Sequence, residues 1–198
     1  ARLQRALDQV LDQPLQIGAG DRHSSEAIQL DARQITLYEP NRILWEDLTR
    51  VTHFESGGAL IMENAAVGPT SQPAALFHLG YASFIWGAPS FLALASESEA
   101  HDHWMPLARA VRMVQTNTAI TADCDLLILT ANGSENWILA QMEARPREIR
   151  LKAYLHNAAQ WEEWARVDGR LKGYGYAPVV RESNQHHTFF AMSYHLFR

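Results

Sequence analysis

The stretch between residues 125 and 155 constrains the fold most tightly. Leu126-Leu127-Ile128-Leu129 is an unbroken apolar run, with Asp125 before it and Thr130-Ala131-Asn132-Gly133 after it. Asn-Gly tolerates the positive φ that a tight turn requires. Two further segments follow, 136–143 and 148–155, parted by Arg145-Pro146. In the last of these Ile149, Leu151, Ala153 and Leu155 alternate with Arg150, Lys152 and Tyr154, which is the period of a strand. Two arrangements satisfy this pattern. One is a three-stranded antiparallel meander turning at Asn132-Gly133; the other places a helix over 136–145 and makes the region a βαβ unit. The meander is the leading expectation.

The remaining segments are read from the same periodicities. Helices are expected over 2–12, 43–50, 74–79, 101–116 and 157–167, and a bent strand or hairpin over 28–38. Short strands are expected over 59–62, 83–86 and 91–95, and a final hairpin joins 177–181 to 187–197. Pro14 and the Gly18–Gly20 pair end the first helix. The expected fold class is α+β: a mainly antiparallel sheet with a C-terminal meander and hairpin, packed by several helices. Residues 1–198 are expected to form a single domain, either alone or as a fragment of a longer protein.

Composition narrows the function classes. With 47% hydrophobic and 20% charged residues the chain can bury a core, which excludes a disordered reading. Its 17 Lys and Arg against 22 Asp and Glu give a net charge of −5, which does not support broad nucleic-acid binding. Cys124 is the only cysteine, so neither an intrachain disulfide nor a Cys-rich zinc site can form, and a cytoplasmic setting is expected. No apolar run approaches the roughly 20 residues of a membrane-spanning helix, so no membrane association is expected.

Candidate chemistry centres on the acids of the expected meander. If the hairpin pairs as drawn, Asp125 and Glu143 meet at its open end with Gln141 beside them, and two oxygen ligands could hold Mg²⁺ or Mn²⁺. Such an ion activates water and shields a phosphodiester. The stretch from Asp125 through Gln141 to Glu143 resembles the core of the PD-(D/E)xK nucleases: an acid, an apolar strand, a Gly-containing turn, then a second acid or amide pair. Glu143 stands where that family carries lysine, and Lys152 on the next strand is the candidate replacement. The resemblance implies a metal-dependent or degenerate nuclease-like domain acting on nucleic-acid phosphodiesters. Asp125 and Glu143 would hold the metal, Gln141 would orient water, and Lys152 would stabilise charge.

The alternative expectation is a noncatalytic module that binds a small molecule, for example heme or a nucleotide, or a protein partner. His101-Asp102-His103 and His186-His187 are the histidine clusters that could serve it. Glu63, closing the apolar stretch 59–62, forms a second acid set with Asp123 and Asp125, which flank Cys124.

Overall fold

A computed structural model of the chain describes residues 11–20, 23, 25–50, 58–77, 84–85, 108–154, 158–183 and 189–196. The expected helix over 2–12, the strand over 91–95 and both histidine clusters fall wholly or mostly outside these residues.

The unbroken apolar run decides the architecture. Leu126–Leu129 forms strand β9, and each of its four side chains is at most 1% exposed. A strand apolar on both faces must be covered on both, the condition met at the centre of a parallel α/β sheet rather than in a half-wet hairpin. β9 is accordingly central. Its neighbours are β1 (Leu15–Ile17) on one side and β10 (Glu148–Tyr154) on the other, both parallel to it. β2 (Gln34–Tyr38) and β3 (Ala59–Glu63) continue the parallel set beyond β1. β12 (Phe189–Leu196) pairs antiparallel with β10, and β11 (Tyr176–Ser183) antiparallel with β12. The seven-stranded order is β3-β2-β1-β9-β10-β12-β11.

This corrects the expected α+β class. The main sheet is mostly parallel and the fold is α/β. The meander is the specific error: Glu135–Gln141 is helix α3, not a strand, counting α1 as Arg42–Leu48 and α2 as Thr116–Ala119. Ile138, Leu139 and Met142 are all buried, and their i, i+1, i+4 spacing fits one helix face. The βαβ arrangement holds instead, with β9 and β10 in parallel register from Leu126↔Glu148 to Leu129↔Leu151.

Alternation then sorts the core onto two faces. Leu15, Ile17, Leu127, Leu129, Ile149, Leu151 and Tyr194 pack with Ile138 and Leu139 of α3 and with Val167 and Leu171 of α4 (Ala158–Gly173). Ile35, Leu37, Leu126 and Ile128 pack on the other side with Leu48 of α1.

The chain between β3 and β9 forms smaller sheets. β4 (Ala66–Gly68) pairs parallel with β8 (Met113–Gln115), and β5 (Ala74–Phe77) lies between β6 (Phe84–Ile85) and β7 (Ala108–Val111) in antiparallel pairs. Thus 74–77 and 108–115 are strands where helices were expected. Their apolar residues fit both periods, and strand pairing, of 74–77 with 108–111 and of 113–115 with 66–68, decides between them. The bent strand expected over 28–38 is likewise a 3₁₀ turn at Ala27–Gln29 followed by β2. The expected helices over 43–50 and 157–167, the short strands over 59–62 and 83–86 and the final hairpin are present with shifted ends. Among the described residues no helix is long and apolar enough to cross a membrane.

If β9 is the doubly covered centre, Leu127→Ala should lower the unfolding free energy by about 2–5 kcal/mol in chemical denaturation. A loss below about 1 kcal/mol would place this strand at a half-exposed edge instead.

Candidate functional site

In an open parallel sheet, ligands bind beyond the carboxyl ends of the strands, where the order reverses direction. Here that point lies between β1 and β9, because β2 and β3 extend one way and β10 the other. The segments emerging there are Gly18-Ala19-Gly20 after β1, Glu39-Pro40-Asn41 after β2, Asn64 after β3 and Thr130 to Ser134 after β9.

Gly18 is required by its contacts. Its φ is +75°, and a Cβ there would stand 2.3 Å from the Thr130 carbonyl oxygen. The backbone N–H groups of Gly18 and Ala19 both donate to the Tyr38 carbonyl, at 2.9 and 3.1 Å. Thr130 N–H donates to Ile17 O at 3.0 Å, and its hydroxyl to Gly18 O. The loop is therefore pinned between β2 and β9, and only glycine fits.

Glu39 is the charged centre of this end of the sheet. It is 5% exposed. One carboxylate oxygen accepts from the Gly20 N–H at 2.8 Å and the other from the Asn41 N–H at 2.8 Å. Asn64 ties β3 to the same turn by donating to the Glu39 carbonyl at 2.8 Å. Burial pushes the Glu39 carboxyl up to about 7, against the opposing pull of the two N–H donors. A carboxylate offers roughly four acceptor positions, so two are left over after these bonds.

The turn after β9 is built by a second acid. Asn132 (φ +47°) and Gly133 (φ +100°) both take left-handed backbone. The Glu135 carboxylate accepts from the Ala131 and Gly133 N–H groups at 2.9 and 2.8 Å, fixing that loop at the start of α3. Burial raises the Glu135 carboxyl above its usual range, and nearby Glu163 adds to the effect.

The residues expected to hold a metal lie elsewhere. Asp125 precedes β9, at the amino end of the sheet. Its carboxylate accepts from the Asp12 and Gln13 N–H groups at 2.9 and 3.2 Å and pairs with Arg147 at 3.3 Å. Gln141 is the exposed last residue of α3. Glu143 follows the helix, its N–H donating to Asn117 Oδ1 at 3.0 Å. Lys152 lies within β10, opposite Ala191 of β12. Helix α3 in place of a strand removes the open hairpin end that was to gather them. Among the described residues no group of three or more His, Cys, Asp or Glu side chains is placed to hold a metal ion, so the Mg²⁺ or Mn²⁺ expectation is withdrawn. Cys124 is buried, and burial, with Asp125 adjoining, pushes its thiol up to about 12, which leaves it unreactive.

Sequence reading missed Gly18, Gly20 and Glu39, taking the glycines as a helix stop. The signal was present: Gly-Ala-Gly directly follows Leu15-Gln16-Ile17, and Glu39 comes 21 residues after Gly18 at the end of the next strand. Glycines after a first strand and an acid about 20 residues on are the pattern by which such sheets hold a phosphate or ribose group. The third glycine of the usual pattern is absent, as position 23 is His.

No family model matches the chain, and no curated protein matches it in sequence. Solved structures do share the fold. A ribosomal protein L11 methylase from Lactobacillus delbrueckii subsp. bulgaricus aligns with a TM-score of 0.54 at 8% identity, over 99% of this chain and 75% of that one. Methyltransferase FkbM from Methylobacillus flagellatus KT aligns with a TM-score of 0.55 at 12% identity, over 94% of this chain but only 44% of its own length. The chain thus has the Rossmann-like α/β fold of these methyltransferases. The resemblance to PD-(D/E)xK nucleases, and the nuclease function drawn from it, are overturned by this fold.

Two outcomes follow from the acids. The native state holds the Glu39 proton more tightly than the unfolded chain does, so this group's stabilisation is full below about pH 4.5 and is lost as pH rises to about 7. Glu39→Gln should flatten that part of the stability–pH curve, by on the order of 3 kcal/mol across the window; an unchanged curve would show Glu39 titrating as a solvated acid. Asp125→Ala should cost about 1–3 kcal/mol in urea denaturation, because two backbone donors lose their acceptor. A loss near zero would remove it as the staple of the amino end.

Proposed function

We propose that the chain is a single methyltransferase-type domain that binds S-adenosylmethionine beyond the carboxyl ends of β1 and β2. One observation carries this reading: the glycine loop Gly18-Ala19-Gly20 and the buried Glu39 are joined by a hydrogen bond at the switch point of the sheet. The two structural neighbours, a methylase and a methyltransferase, agree with it.

The residues fit the adenosine part of such a cofactor. Glu39 keeps acceptor capacity on a carboxylate already oriented by two N–H donors, which suits the paired hydroxyls of a ribose. Gly18 lets the chain turn where any side chain would collide with Thr130, keeping the floor of the crevice shallow. When bound, the cofactor supplies a methyl group on a positively charged sulfur, ready to pass to a nucleophile. The protein's part is then mostly positioning, which brings reacting groups together without acid–base chemistry. The left-handed Asn132-Gly133 turn, held by Glu135, forms the β9 side of the crevice.

A second reading is nucleoside binding without transfer. Thr130, Asn132 and Ser134, at the end of the central strand, supply hydroxyl and amide groups but no group that accepts a proton at neutral pH. An acceptor methylated here would have to be nucleophilic already.

Calorimetric titration with S-adenosylmethionine and with S-adenosylhomocysteine tests both readings. Binding is expected, at least about tenfold weaker in Glu39→Ala with unchanged far-UV circular dichroism. Binding together with transfer of labelled methyl to any acceptor supports the enzyme, whereas binding without transfer supports the second reading. Failure of both compounds to bind at about 1 mM would remove both.

A further inference from the structure

A second cavity lies on the face of β1, β2 and β3 that packs away from α1. Register builds its floor. Leu15, Thr36 and Ile61 stand in one row across the three strands. Gln34 lies one step toward the amino ends, and Tyr38 and Glu63 face each other one step toward the carboxyl ends. The segment around Thr118 and Thr121 closes the other side. The space is about 250 Å³, just below the usual range for ligand pockets. Ile61, 40% exposed, marks its open side.

The lining has a consistent chemistry. Two amide residues (Gln13 and Gln34), three hydroxyl residues (Thr36, Thr118 and Thr121) and Tyr38 line one space. None of these six side chains is hydrogen-bonded to another group of the protein among the described residues. Among the described residues Glu63 is the one charged group of the lining, and Arg112 already pairs with it. No Lys, Arg or His among the described residues lines the cavity, and the cation beside it, Arg112, is engaged with Glu63. Leu15, Ile61 and the Tyr38 ring supply an apolar floor.

We propose that this cavity binds a neutral polyhydroxylated small molecule about the size of a single sugar ring. Such a molecule offers many hydroxyls to unused amides and hydroxyls, and apolar C–H faces to Leu15, Ile61 and Tyr38. A cationic ligand is disfavoured because the Glu63 charge is already taken by Arg112, and an anionic one because Arg112 is in turn neutralised by Glu63. The site lies on the face of the sheet rather than beyond its strand ends, so it does not depend on the cofactor reading.

The test uses the full chain and four neutral probes: D-glucose, D-galactose, D-ribose and myo-inositol, with glucose 6-phosphate as the charged control. Saturation-transfer NMR and calorimetry are run with and without saturating S-adenosylmethionine. At least one neutral probe is expected to bind, and to bind more tightly than the phosphate ester. Thr36→Val, which removes one hydroxyl at nearly constant shape, and Ile61→Trp, which fills the open side, should each weaken it about tenfold or more. Circular dichroism shows whether each variant is folded; if one is not, the other decides. No binding by any neutral probe at about 50 mM overturns the proposal. So does affinity that survives the variants, equal binding of the phosphate ester, or displacement of the sugar by S-adenosylmethionine. If the cofactor fails to bind while a sugar binds as described, the cofactor reading alone falls.

Discussion

The close approach of β1 and β9 at their carboxyl ends sets the terms for the rest of the molecule. Gly18 sits between the Tyr38 carbonyl, to which it donates, and the Thr130 carbonyl, which leaves no room for a Cβ. A buried backbone must find partners for its polar groups, and here the loop after β1 finds them on β2 and β9 at once. The contact therefore fixes three strands relative to one another at the place where the sheet reverses its order. Glu39 is held in the same arrangement, since the loop that Gly18 makes possible presents the Gly20 N–H to its carboxylate.

Glu39 shows how such a site keeps an acid available. Burial alone would drive the carboxyl to its neutral form, and two N–H donors pull the other way. The balance leaves it near the middle of the physiological range with its direction in space fixed. A ligand that donates hydrogen bonds to it would favour the charged form further, so binding and proton release are coupled. The same burial acts on Glu135, whose carboxylate is occupied by the Ala131 and Gly133 N–H groups and so shapes the loop.

Much of the fold was legible where one period stood clear of the other. The alternating 148–155 and the final hairpin were read as strands, and 157–167 as a helix, because their patterns fit only one template. The error at 136–143 has a definite cause. Asn-Gly is a hairpin signal, but two left-handed residues also make a strand-to-helix turn, and the neighbouring run decides which. Leu126–Leu129 has no polar alternation, and four apolar residues in sequence need cover on both faces, which a terminal meander does not give. The candidate site was legible in principle as a Gly-Ala-Gly after Leu15-Gln16-Ile17 with Glu39 a strand later. It was hidden by the brevity of Leu15–Ile17, since three residues carry almost no periodicity, and by the missing third glycine. Pairing partners 21 and 112 residues away make that triplet a strand, and no local pattern encodes them.

Parallel order also explains why acids of one type have different tasks. Every parallel strand of this sheet begins at one end and finishes at the other, so an acid's position along a strand decides which end it serves. Asp125, just before β9, meets the incoming chain at Asp12 and Gln13 together with Arg147 ahead of β10, and its acceptor capacity is spent on joining three strand starts. Glu39, just after β2, meets turns that leave the sheet, and these diverge around the reversal between β1 and β9, so its two bonds orient it without exhausting it. The antiparallel arrangement expected from the sequence would have placed strand starts and strand ends side by side and brought acids of both kinds together. Strand direction separates them, giving one end of the sheet a staple and the other a crevice with an acid to spare.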